Sequence, residues 1–344
     1  RDTDRSRGLG DVYKRQTHMD MELSKNLIQL KQKAAFQEPP QSASEPAFKA
    51  HARKKQSLFR QIVLGIPYEP KHRFGKYGAF LMEPFASQGY NFCEVYRSEI
   101  LEGISHRYGK LNVALHEGLM GNMLRSEHIP WNVFFPMRFD LDATKGLLMD
   151  LLHTKEIDAV TDIRIEWAPD KETALDDNTS FDTYIEYEYQ GEKCGVGIEV
   201  KYTEQGYHFG VLERKRVMEQ ADSPYAIKTR QCGLYTDDVA NKSLRNTLFC
   251  EDDYRQIWRN HLLGATMVMN GQVKRFHSIT MYPEGNVHFK KVLPKYEKTL
   301  SDYGKSTFGY ITIEKMILLI FKHFPKTKKN IAWIDYLNTR YPFK

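Results

Sequence analysis

Residues 181–202 read FDTYIEYEYQGEKCGVGIEVKY. Phe181 to Tyr189 alternates and is rich in Tyr and Ile, Gln190 to Lys193 turns the chain, and Cys194 to Tyr202 alternates again. This pattern predicts a β-hairpin with a short loop. In its second strand Val196, Ile198, Val200 and Tyr202 share one face, because strand side chains alternate. Gly195, Gly197, Glu199 and Lys201 share the other. Glu199 and Lys201 therefore stand side by side, with backbones roughly 6.5 Å apart at ~3.3 Å rise per residue. The two glycines are expected to leave that face bare, as a bulky ligand such as a nucleic-acid backbone requires. Asp182 lies at the mouth of the first strand, where antiparallel pairing brings it across from Glu199. The spacing suits a shared metal ion.

Outward from the hairpin, Ile163 to Trp167 reads as a strand, followed by a polar loop through Asn178. On the N-terminal side, helices are expected over 111–124, where Leu111, Leu115 and Leu119 fall at i, i+4 spacing, and over 144–152. The proline-bounded apolar segment Ser126 to Pro136 separates them. Beyond the hairpin come a helix over 253–269, a strand over 276–282 and a C-terminal helix near 313–323. The order is helix, three strands, helix, strand, an α/β arrangement with no internal repeat. Residues 58–110 read as an irregular lead-in. Before it lie a short helix over 22–36, a Pro-rich linker over 37–46, and the basic run His51 to Lys55, taken as a solvated helix face.

Phosphodiester hydrolysis explains why two carboxylates and a lysine would be gathered on one strand face. Hard carboxylate oxygens hold Mg²⁺, which keeps several waters and binds a phosphate. The ion polarises the phosphoryl oxygen and lowers the pKa of water. Lys201 is a compact point charge able to orient that water or offset developing negative charge. Two carboxylates about 4 Å apart repel by on the order of 4 kcal/mol at an effective dielectric of ~20. Without a cation one of them would tend to stay protonated.

These residues resemble the PD-(D/E)XK nuclease superfamily, whose signature is an aspartate on the second core strand and Glu-x-Lys on the third. Here the matching residues are Asp182 in FDTYI and Glu199-Val200-Lys201 in IEVKYTE. The resemblance covers about residues 111–290 and implies a restriction-endonuclease-like core with N-terminal and C-terminal helical additions. It implies metal ligation by Asp182, Glu199 and the main-chain carbonyl of Val200, with Lys201 as the catalytic lysine. Members often place a glutamate on the helix before the first strand; Glu117 is the candidate and Glu127 the second choice, each equally readable as an exposed helix carboxylate. Members also use a polar residue on the helix after the third strand. Gln256, Arg259 and Asn260 share one helix face there, and Gln256 is the candidate. Glu166, ending the first strand, is a departure that would replace or supplement Asp182 as an acidic ligand.

The expected activity is Mg²⁺- or Mn²⁺-dependent hydrolysis of DNA, in a restriction, defence or repair setting. The alternative is a catalytically inactive protein of the same fold that binds nucleic acid or a partner; intact Asp182, Glu199 and Lys201 argue against it. The expected partner is DNA, with a homodimer admitted and no membrane.

Composition is compatible with this. Hydrophobic residues make up 41%, enough for a packed core. The longest apolar run, Met316 to Phe321, is far short of the ~20 residues a membrane helix needs, so a cytoplasmic chain is expected. Cys93, Cys194, Cys232 and Cys250 are scattered, without zinc-site or disulfide spacing. Asp11 to Gln16 is the literal translation of GATGTGTATAAGAGACAG, which resembles a transposase recognition end used in sequencing libraries, so residues 1–16 are set aside. They hold five basic and three acidic residues, so the net charge of +6 becomes +4 for residues 17–344. Residues 17–57 then form an N-terminal helix and linker, and 58–344 the nuclease-like domain.

Overall fold

Phe181–Tyr189 (β2) and Glu192–Val200 (β3) pair antiparallel with Tyr189 opposite Glu192, so only Gln190 and Gly191 turn the chain. Both sit in the left-handed region, at φ 52° and 73°, as a tight two-residue hairpin requires. The second strand thus starts two residues earlier than the alternation alone suggests. The computed structural model describes residue 40 and residues 44–68, 78–206 and 208–342. The helix expected over 22–36, most of the linker over 37–46, and residues 1–16 lie outside the described residues.

Two compact units divide the chain. The unit Ile129–Thr312 holds the sheet. Ala159–Trp167 (β1) pairs antiparallel with β2, while Arg275–Tyr282 (β4) and Phe308–Thr312 (β5) continue the sheet in parallel beyond β3. The strand order is β1-β2-β3-β4-β5. Helix α1 (Leu141–Leu151) precedes and packs on β1; after the shorter helices Val211–Arg214, Pro224–Gln231 and Asp237–Ala240 inserted behind β3, α2 (Arg255–Met269) leads into β4 and packs on both strands. Helix, three strands, helix and strand therefore follow in the expected order. The fifth strand was not anticipated. Its five residues run directly into the apolar helix Ile313–His323, and the two hydrophobic patterns merge.

The face carrying Glu199 is not bare. A Cβ at Gly197 would lie 2.5 Å from the Phe181 ring and 2.7 Å from the Phe276 ring, and one at Gly195 would lie 2.8 Å from Tyr184. Phe181, Tyr184 and Phe276 are buried together with Trp258 and Leu262 of α2. The glycines make room for aromatic rings between sheet and helix, not for a ligand. Gly197→Ala should therefore destabilise by ~1–3 kcal/mol through overpacking. Urea unfolding would measure this as a lower midpoint at an unchanged slope.

The other unit, Arg1–His128 with Ile313–Lys344, is discontinuous in sequence. Its helices Ala47–Leu58, Arg97–Tyr108, Ile313–His323 and Lys328–Arg340 are tied by polar contacts. The fully buried Arg340 donates to Gln56 Oε1 at 3.1 Å and to the Asn91 carbonyl at 2.6 Å, and the Tyr96 hydroxyl meets Asn330 Oδ1 at 3.0 Å. The basic run lies on the first helix, with His51 and Lys54 exposed and Arg53 paired to Glu45. The helix expected over 111–124 is a single α-turn, Val113–His116, followed by a π-turn, Glu117–Gly121. Gly118 and Gly121 in that stretch weaken a regular helix. Among the described residues no helix is long and apolar enough to cross a membrane.

Candidate active site

The last paired residues of the hairpin set the site. Thr183 lies opposite Ile198, so one step further Asp182 faces Glu199 on the same side of the sheet. Asp182 Oδ2 accepts the Val200 N–H at 2.6 Å. The Lys201 N–H points the other way, donating to the Met281 carbonyl of β4 at 2.8 Å. A trans peptide opposes its C=O to its N–H, so the Val200 carbonyl is directed to the β2 side, where Asp182 stands. Two carboxylates and a main-chain carbonyl thus share the mouth of the hairpin.

Lys201 and Glu199 are buried, at 7% and 4% exposure. The Lys201 ammonium donates to Glu199 Oε1 at 2.5 Å and also to Gln256 Oε1. Asn260, one turn further along α2, donates its amide to the second oxygen of Glu199. Gln256 and Asn260 project from α2 onto the ends of the strands because that helix crosses the same face. The polar stripe read from i, i+4 spacing is therefore no solvated face at these two positions.

Electrostatics follow from burial. Asp182 is held well above the usual carboxylate range, first by loss of solvation and then by the charges of Glu199 and Glu166. Burial alone would push Lys201 down, but Glu199 and Asp182 outweigh it and raise its pKa. Glu166 sits between the paired positions Ile165↔Thr183 and Trp167↔Phe181, which puts it in one row with Asp182 and Glu199 across three strands. Its φ is 52°, and Ser180 donates to its carboxylate at 3.4 Å.

A cleft of about 460 Å³ opens beside these residues, with Gln256 and Asn260 on its wall together with Asp177, Glu213 and Arg259. Arg259 pairs with both Asp177 and Glu213 and donates to the Tyr225 hydroxyl at 2.6 Å. Burial works against the Asp177 charge, yet Arg259 and Tyr225 hold that carboxyl below the usual range. Sequence reasoning placed Arg259 and Asn260 on the right face but gave neither a role. Asp177 and Glu213 went unnoticed: the first lies in an irregular loop and the second in a single helical turn, where no periodicity marks them. Glu117 and Glu127 belong to the other, discontinuous unit. Glu117 is half-buried in the π-turn, and Glu127 is paired with Arg125.

The family model of the PD-(D/E)XK nuclease superfamily matches residues 43–343. The chain belongs to that superfamily, and its five-stranded mixed sheet with flanking helices is the restriction-endonuclease-like α/β fold. No curated protein and no solved structure gives a significant match.

Proposed function

We propose that the protein is a divalent-metal-dependent nuclease that hydrolyses phosphodiester bonds in DNA. One observation carries this reading: Asp182 and Glu199 face each other at the hairpin mouth, with the Lys201 ammonium fixed between Glu199 and Gln256 beside an open cleft.

The residues fit a hard divalent cation such as Mg²⁺ or Mn²⁺. Asp182, Glu199 and the Val200 carbonyl supply oxygen donors only, as such ions require. The raised pKa of Asp182 marks a carboxylate whose burial and acidic neighbours outweigh the compensation that Lys201 supplies. The Asn260 Oδ1 atom is buried without a hydrogen-bond partner next to Glu199, an acceptor suited to an ordered water of the site. Among the described residues no three His, Cys, Asp or Glu side chains converge as a ligand group. The donor set is thus two carboxylates and a carbonyl, and Glu166, though in the same row, stands outside it.

When bound, the cation polarises the phosphoryl oxygen and lowers the pKa of water. Asp182 and Glu199 hold their oxygens in a fixed row, because the hairpin ladder and Asn260 leave them little freedom. Lys201 remains protonated through its two carboxylate neighbours and places its charge where the phosphate gains negative charge. Gln256 aims the ammonium.

The test is cleavage of plasmid, linear duplex and single-stranded DNA, and of RNA, with Mg²⁺, with Mn²⁺ and with EDTA. Nicked or degraded DNA only where a divalent ion is present is expected. DNA left intact under every metal condition would overturn the reading in favour of a non-catalytic binding protein.

A further inference from the structure

Residues 211–219 read VLERKRVME and border the active-site cleft. Val217 and Met218 are buried and pin this segment to the core. Of its two acidic residues, Glu219 is exposed at the far end, beyond the buried Val217 and Met218, while Glu213 turns inward and is engaged by Arg255 and Arg259. The outward face next to it is consequently cationic: Arg214, Lys215 and Arg216 are all exposed. Arg214 reaches Asp252 at 3.8 Å, whereas Lys215 and Arg216 have no ion pair among the described residues. Arg216 shares the cleft wall with Gln256 and Asn260, the side chains that hold Lys201 and Glu199.

At the start of the same segment Val211 and Leu212 are 85% and 84% exposed. Two adjacent aliphatic side chains in water contribute nothing to the core. Beside unpaired cations they match a partner that is anionic along its backbone and apolar on its faces, as nucleic acid is. An anionic membrane surface offers similar chemistry, but continuity with the cleft favours the nucleic acid.

We propose that Val211–Arg216 is the grip by which the protein holds DNA next to the cleavage site. Lys215 and Arg216 contact backbone phosphates flanking the one at Lys201, and Val211 and Leu212 rest against sugar or base faces. The location of the cut phosphate is taken from the nuclease reading above; the grip itself needs no metal.

Binding of a fluorescent short DNA duplex to the full chain in EDTA, titrated across salt concentrations, tests this. Lys215→Gln with Arg216→Gln should flatten the slope of log affinity against log salt by about 0.9 per residue removed. Val211→Ser with Leu212→Ser should weaken binding without changing the slope. In the presence of Mg²⁺ both pairs should raise KM for cleavage and leave kcat in place. Unchanged affinity and slope in all variants would overturn the grip, as would absence of DNA binding by the unmodified chain. Loss of binding to phosphatidylserine vesicles, with DNA binding untouched, would reassign the surface to membranes. Failure of the nuclease reading looks different: DNA would bind with the expected slopes and stay uncut.

Discussion

Alanine at Lys201 is expected to lower DNA cleavage by roughly a hundred- to a thousand-fold, the usual loss when one preorganised electrostatic donor is removed. The effect should fall on kcat, because the ammonium sits on Glu199 and Gln256 rather than along the cleft wall. Stability must be read beside activity. Lys201 and Glu199 form a buried pair, and deleting one partner costs about 3–5 kcal/mol where the survivor stays charged. Glu199 retains the Asn260 amide as a hydrogen-bond donor, so the loss should fall at or below that range. A melting curve then separates a folded, inactive protein from an unfolded one. Lys201→Arg, which keeps the charge but not the compact ammonium, should also cut poorly. A folded Lys201→Ala protein that cleaves at the original rate would end the assignment.

Asp182→Asn should produce the second large change, with opposite signs for stability and function. An aspartate ordinarily titrates near 3.9, whereas burial, Glu199 and Glu166 hold Asp182 protonated well above that. Between those two pH values the folded protein binds a proton that the unfolded chain does not. Its contribution to stability is therefore full below the ordinary value and is lost as pH rises through the raised one. Asparagine has no proton to lose, and its carbonyl replaces the acceptor of the Val200 N–H. At neutral pH in EDTA the variant should thus melt above the original protein; ~1 kcal/mol corresponds to about 2–4 °C. With Mg²⁺ the ranking should reverse. A ligand at a hundred times its Kd stabilises by about 2.7 kcal/mol, and only the protein with both carboxylates should gain it. Equal Mg²⁺ responses of the two proteins in calorimetry would remove Asp182 from the metal site.

The hairpin was legible because Tyr and Ile alternate with charges over a full strand, and because Gly191 supplies the turn. Ile313–His323 was legible from a continuous apolar stripe. Sequence reading faltered where one pattern has two physical causes. Gly195 and Gly197 read as open backbone, but the rings that fill the space come from Tyr184 on the partner strand and from Phe276, far along the chain. The regular helix over 111–124 failed because its leucines are spaced correctly while Gly118 and Gly121 undercut the backbone. For the site, Asp182, Glu199, Lys201 and Gln256 converge as their strand and helix positions foretold. The Arg259 cluster did not announce itself, because Asp177 and Glu213 meet it only through tertiary contact.

The discontinuity of the unit formed by Arg1–His128 and Ile313–Lys344 bears on how the protein is made. Arg340 and Asn330 are synthesised after the entire sheet, yet they bind Gln56, Asn91 and Tyr96, which left the ribosome long before. The β-sheet unit is thus free to fold during translation, while its predecessor waits, incomplete, for the last two helices. Nascent chains halted before Ile313 would carry a finished five-stranded sheet and an unassembled helical unit.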